Sequence, residues 1–438
     1  MRENTRFNIQ FGNFQTIPCR ISLFLLFLSL PLTSSATLVQ AEEGVVLSAP
    51  LVLRWQFEAR EAISFSPTAT NGRIYLPLSF GEIVALRVTD GQLIWKTEIG
   101  GIFSASPAAD ERGVYVVSQT TDSASAADTL RSNGTIRALS QNTGITLWMR
   151  TLHSPIQAGL VSSATKLFGA AADGRIYAFS KATGEILWVT RHSSPLVSLP
   201  VIHHERLYIG SEDGTLLALN QATGEMVWRY QTQGALRSSV AIADHIVYFG
   251  SADGYVYAYN EVKGRLKWRR RTGAAVQAVI QTSSGIIVTS LDNFVYLLSP
   301  RRGELLWKRQ LAGRIAALPL VDAQSALFAP LGGDACIVLS LRDGKQLNTL
   351  PVGPDGNISP SPVVAGNLLL IPTRGGLAVF APSSPNSQFQ RPANEEIEFK
   401  PYFYEAAYLT GKPTVDSGDA ETGCSHALTT HRGCTRQP

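Results

Sequence analysis

The side chains able to do chemistry are few and poorly arranged for it. His203 and His204 are adjacent, while His153, His192, His245, His426 and His431 are scattered along the chain. A transition-metal site needs imidazoles or thiolates a few residues apart on one element. No such pair occurs, and His203-His204 reads as the solvated tip of a hairpin turn. Gly210-Ser211-Glu212-Asp213-Gly214 gathers oxygens suited to calcium, yet it lacks the alternating ligands of a calcium loop and reads as a turn. Of the 4 cysteines, Cys336 reads as a buried small hydrophobe, and Cys424 and Cys434 are close enough to pair in an oxidising compartment. No glycine-rich phosphate cradle, no C-x-x-C-H and no Ser/His/Asp set can be assembled from spacing. The expectation is a chain with no catalytic residue, no metal and no cofactor.

What the sequence does carry is a ruler. All 7 tryptophans lie on it: Trp55, Trp95, Trp148, Trp188, Trp228, Trp268 and Trp307, in steps of 40, 53, 40, 40, 40 and 39. A fixed period near 40 residues with strand-like alternation and turn residues inside it marks a four-stranded propeller blade. The clearest unit predicts strands over Leu196 to Ile202, Arg206 to Gly210, Thr215 to Asn220 and Glu225 to Tyr230. Asp213-Gly214, repeated as Asp173-Gly174 and Asp253-Gly254, is expected to supply the positive φ angles of a tight hairpin. Each unit ends in an eleven-residue pattern such as AFSKATGEILW, from Ala178 to Trp188. Gly91, Gly144, Gly184, Gly224, Gly264 and Gly303 permit the left-handed turn within it. The alanine leaves room for a ring, and the tryptophan fills that room. A buried indole contributes about 4 to 6 kcal/mol gross, enough to wedge neighbouring blades together.

Counting the units gives eight. The seventh ends in Asn348 where a tryptophan is expected, and the eighth, from Ile358 to Phe380, lacks an outer strand. Val45 to Phe57 is placed to add it, so the reading is an all-β, eight-bladed β-propeller of four-stranded antiparallel blades closed by the N-terminal strand. The 53-residue step predicts a polar insertion near Gln119 to Asn133.

The propeller is assigned to residues 42–382. Before it, residues 1–41 carry a short apolar run, Ile21 to Leu32, behind Arg20 and ahead of Val39-Gln40-Ala41. This reads as a cleaved export signal, too short to span a bilayer. Cys19 precedes the run and so does not mark a lipoprotein. After it, residues 383–438 form a C-terminal extension, partly disordered, whose aromatic stretch from Ile397 to Gly411 is expected to dock on the ring or on a partner. With 45% hydrophobic residues and a net charge of only +4, the chain is globular. No basic run tracks a nucleic acid, and no other apolar segment is long enough to cross a membrane. A soluble, periplasmic or secreted monomer is expected.

The Ala-to-Trp pattern at 40-residue steps resembles the tryptophan docking motif of pyrroloquinoline-quinone-type propellers, over roughly residues 45–382. That family includes quinone-dependent dehydrogenases and non-catalytic members. The dehydrogenases imply a quinone held between a tryptophan and a disulfide of adjacent cysteines, beside calcium and an aspartate base. Here no two cysteines are adjacent and every tryptophan belongs to the ruler. The layout is closest to the non-catalytic BamB type of the barrel-assembly machinery. That resemblance implies a protein-binding scaffold of the cell envelope, peripheral to the outer membrane, whose partner is a barrel-assembly protein. A quinone enzyme and a ligand-binding sensory propeller are the alternatives.

Overall fold

A computed structural model describes residues 45–59, 63–121, 132–262, 264–352 and 360–383. The segment read as an export signal, residues 1–41, and the expected C-terminal extension beyond Ser383 lie outside these residues. The described strands form eight antiparallel sheets, one for each unit of the ruler. Blade 4 shows why the sequence folds this way. Its four strands are Val201–His203, Arg206–Gly210, Thr215–Asn220 and Met226–Gln231, joined in sequential order. The second and third strands are apolar nearly throughout because both faces are covered. Leu217 and Leu219 pack towards blade 3, whereas Leu216 and Ala218 pack towards blade 5. The outermost strand is largely exposed.

The first strand is shorter than the sequence predicts. Pro200 lacks the N–H that would continue the ladder, and Leu196 meets Ser211 only as an isolated bridge. The hairpin beyond it also differs from expectation. Only Gly214 adopts positive φ (85°) and Asp213 does not. Ser211 N donates to Thr215 O at 3.0 Å and Gly214 N to Ser211 O at 3.2 Å, which makes a three-residue loop with glycine in the left-handed position. Asp213 supplies a side-chain acceptor instead, taking the Thr215 N–H at 3.0 Å.

Blade 2 departs from four strands. Its first strand is split into Ile102–Phe103 and Ala108–Asp110, both paired with Gly113–Thr121. The ends of the predicted insertion are strand as well, since Thr120 pairs with Asn133 and Thr121 with Ser132. Residues 122–131 lie outside the described set.

Blade 8 is composite. Leu51–Glu58 pairs antiparallel with Gly376–Pro382, from Leu51 opposite Pro382 to Glu58 opposite Gly376, so the N-terminal strand closes the ring. The core is not one mass. Eight clusters of buried side chains each straddle a pair of neighbouring blades, including the closing pair, blades 8 and 1.

Candidate functional site

The seams between blades follow a single plan. In the third strand of blade 3, Ala178 lies between Phe168 on the second strand and Trp188 on the fourth. The small side chain lets the two rings meet above it at 5.8 Å. Tyr75–Trp95, Tyr115–Trp148, Tyr208–Trp228 and Tyr248–Trp268 repeat this at 5.8, 6.2, 5.8 and 5.9 Å. Each indole then reaches the next blade. A Cβ on Gly184 would stand 2.3 Å from the Trp148 ring, and Trp148 Nε1 donates to Lys181 O at 2.9 Å. Gly91, Gly144, Gly224 and Gly303 meet Trp55, Trp95, Trp188 and Trp268 in the same way. Trp307 lies on Gly344, a contact the sequence pattern did not single out. Asn348, in the tryptophan position of blade 7, faces the segment before the closing strand instead, and its Nδ2 donates to Ala49 O at 2.9 Å.

The seam between blades 4 and 5 breaks the plan. Nothing but Tyr259 Oη, at 3.7 Å, would meet a Cβ on Gly264. Tyr259 lies tilted against Trp228, with ring centroids 4.9 Å apart, and takes up the space over the glycine. Trp228 Nε1 has no acceptor among the described residues; Arg206 Nη1 donates to the carbonyl of Glu261 at 3.2 Å.

Glu261 occupies a position that ties turns together in other blades. There, Gln221 Nε2 donates to His204 O at 2.7 Å and Lys181 Nζ to Ser163 O at 2.8 Å. Here a buried carboxylate sits among donors: the Tyr208 hydroxyl, His245 Nδ1 at 3.1 Å, Arg206 at 3.6 Å and His203 at 4.0 Å. Burial by itself would raise the Glu261 pKa, but the hydrogen bonds from Tyr208 and His245 and the Arg206 charge hold it below its ordinary value. Burial, then the neighbouring His204, pushes His203 down. His203 is therefore half-buried against a carboxylate, not a solvated turn tip, while His204 is exposed. Asp213, the calcium candidate, has its oxygens engaged within its own turn and with His192 Nε2 at 3.2 Å. Burial raises its pKa, but the bonds from Ser211 and Thr215 outweigh this and bring it down to about 2. No group of three His, Cys, Asp or Glu among the described residues is arranged to hold a metal.

The seam between blades 8 and 1 opens into a cleft of about 490 Å³. Phe57, Glu58 and Ala59 line one side, Leu93, Lys96 and Glu98 the other, with Leu78, Val84 and Glu82 between them. Phe80 is at its lip, 77% exposed. Its φ of 59° is a conformation that costs a bulky residue about 1 kcal/mol or more.

The family model for outer membrane protein assembly factor BamB matches the sequence over residues 51–131, 132–280 and 252–421. The chain belongs to the BamB family. BamB from Moraxella catarrhalis superposes with a TM-score of 0.64 at 16% identity, covering 76% of this chain and all (100%) of that one. A computationally designed protein, Ika8, superposes with a TM-score of 0.63 at 17% identity, covering 74% and 98%. At such identities the likeness shows the fold. A search of curated proteins found no match.

Beyond the family motif, several residues with a part in the seams escaped the sequence reading. The second-strand rings Tyr75, Tyr115, Phe168, Tyr208 and Tyr248 keep the same 40- and 53-residue steps as the tryptophans, so the ruler contained them. Side chains two places after the tryptophan form a second latch. Thr97, Arg150, Thr190 and Arg309 donate to the carbonyls of Gly144, Gly184, Gly224 and Gly344 at 2.9, 3.0, 2.6 and 2.9 Å. Phe80 and the Glu261 cluster left no signal, because each depends on neighbours from another blade.

Proposed function

We propose that this chain is an exported, non-catalytic scaffold that binds protein partners of the cell envelope and assists outer-membrane β-barrel assembly. Membership of the BamB family supports the scaffold role. The observation that carries the reading here is the cleft between blades 8 and 1 with Phe80 at its lip. Around it, the outermost strands of blades 1 to 3 leave Leu93, Leu147, Leu187 and Val189 exposed, and their free edges can accept an extended segment of a partner. Glu58, Glu82 and Glu98 surround Lys96, which suits an apolar side chain followed by a basic one.

The non-catalytic assignment draws support from the tryptophans. All seven stand on outermost strands, away from the axis on which the first strands of neighbouring blades converge. Pull-down from envelope extracts tests the proposal. The intact chain should enrich a barrel-assembly protein, and Phe80→Ala should lose most of that enrichment with an unchanged thermal melt. Enrichment of none, or capture indifferent to Phe80, would count against it. Adding the quinone with calcium should give neither a new absorbance band nor dye reduction.

A further inference from the structure

The rim of the ring is chemically divided. Blade 3 ends in the strand ILWVTR with one cation, but blades 5 and 6 end in RLKWRRR with five and LLWKRQ with two; the nearest carboxylate in sequence, Glu304, is paired with Arg302. Some of these cations serve the fold. Arg269 lies over the Tyr255 ring at 5.0 Å, Lys308 over Phe294 at 3.7 Å, and Arg309 is latched to Gly344. Arg265, Lys267, Arg270 and Arg271 are exposed and have no carboxylate, carbonyl or ring partner among the described residues. Arg270 is informative because Arg150 and Arg309, in the same register, donate to the next blade's glycine carbonyl, whereas Gly303 O receives no such bond from it. Exposed Leu266, Leu305 and Leu306 lie among the cations.

We propose that the outer edge of blades 5 and 6 docks on the anionic headgroups of a phospholipid bilayer. The exposed cations of the blade 5 outer strand, with Lys308 and Arg309 of blade 6 beside them, fit a continuous sheet of phosphate charge, and interspersed leucines reach the headgroup boundary. An acidic peptide paired with one free strand edge would meet the cations of one blade only, whereas a bilayer meets both. This surface lies three blades round the ring from the Phe80 cleft, so either assignment can fail without the other.

Vesicle flotation of the full chain tests the proposal. Vesicles of phosphatidylcholine with phosphatidylglycerol should bind it at low salt, and binding should fall about tenfold or more towards 0.5 M salt, where charges are screened. Any binding through the apolar N-terminal segment persists on pure phosphatidylcholine and sets the baseline. The combined change Arg265→Glu, Lys267→Glu, Arg270→Glu and Arg271→Glu should remove the salt-sensitive part, whereas Arg191→Glu on blade 3 should not. If the fourfold variant fails to fold, the corresponding glutamine variant serves. Equal binding to neutral and anionic vesicles would overturn the proposal. So would salt-sensitive binding that survives charge reversal, or saturable binding of poly-glutamate without binding to anionic vesicles.

Discussion

Replacing a motif glycine by alanine asks two things of the chain: a left-handed alanine and room for a methyl group. At Gly184 both are refused, because φ is 67° and Trp148 stands 2.3 Å from the added carbon. Gly184→Ala should cost about 2 to 4 kcal/mol by denaturant unfolding. Gly72→Ala, at φ 70° with nothing within 4 Å, should cost only about 1 kcal/mol, so the difference isolates the indole. Gly264→Ala should resemble Gly72→Ala, a result that the sequence motif alone would not give. The Glu261 cluster makes a prediction about pH. His203 has a folded pKa below its ordinary value, so the unfolded chain takes up its proton first as pH falls through about 6.5, and stability declines from there until the folded ring titrates. Glu261, also held low, contributes stability above its ordinary value, and this is lost as pH falls through its folded value. Thermal melts against pH should show both declines, with His203→Gln removing the upper and Glu261→Gln the lower. Glycine and tryptophan were legible in the sequence because one type recurs at one spacing. Tyr259 was not, since its effect on Trp228 arises only when two blades meet.

Strands differ in how much of the ring depends on them. Leu51–Glu58 is the outer strand of the last blade and also places Trp55 on Gly91, with Nε1 donating to Val88 O at 3.1 Å. Deleting residues 42–58 should therefore abolish cooperative unfolding rather than lower the midpoint, as calorimetry would show; a truncated chain with an intact transition would contradict closure. The second and third strands were readable because an apolar run bounded by turn residues can only be covered on both faces. First strands were overestimated where Pro200 ends the ladder. The split first strand of blade 2 has no counterpart in the ruler, which measures unit length and not continuity within a unit.

Across the whole molecule, the seam cores make the ring one cooperative body, and Cys336 reports on it. Burial pushes its thiol up to about 12, and it belongs to the core between blades 7 and 8 beside Val45 and Leu47. Peptide mapping after alkylation at neutral pH should find Cys336 unlabelled in the native chain and labelled at the rate of global unfolding. Eight blades were countable because each is a copy, whereas the division of the rim between apolar and basic edges appears only when the outer strands are set side by side. The pairing of Leu51 with Pro382 also bears on refolding. The first described strand pairs with the last, so a chain whose final hairpin is not yet made leaves seven blades as an open arc with an unclaimed berth at its end. At high concentration during refolding, that berth can take the leading strand of another copy, giving swapped dimers and chains of rings.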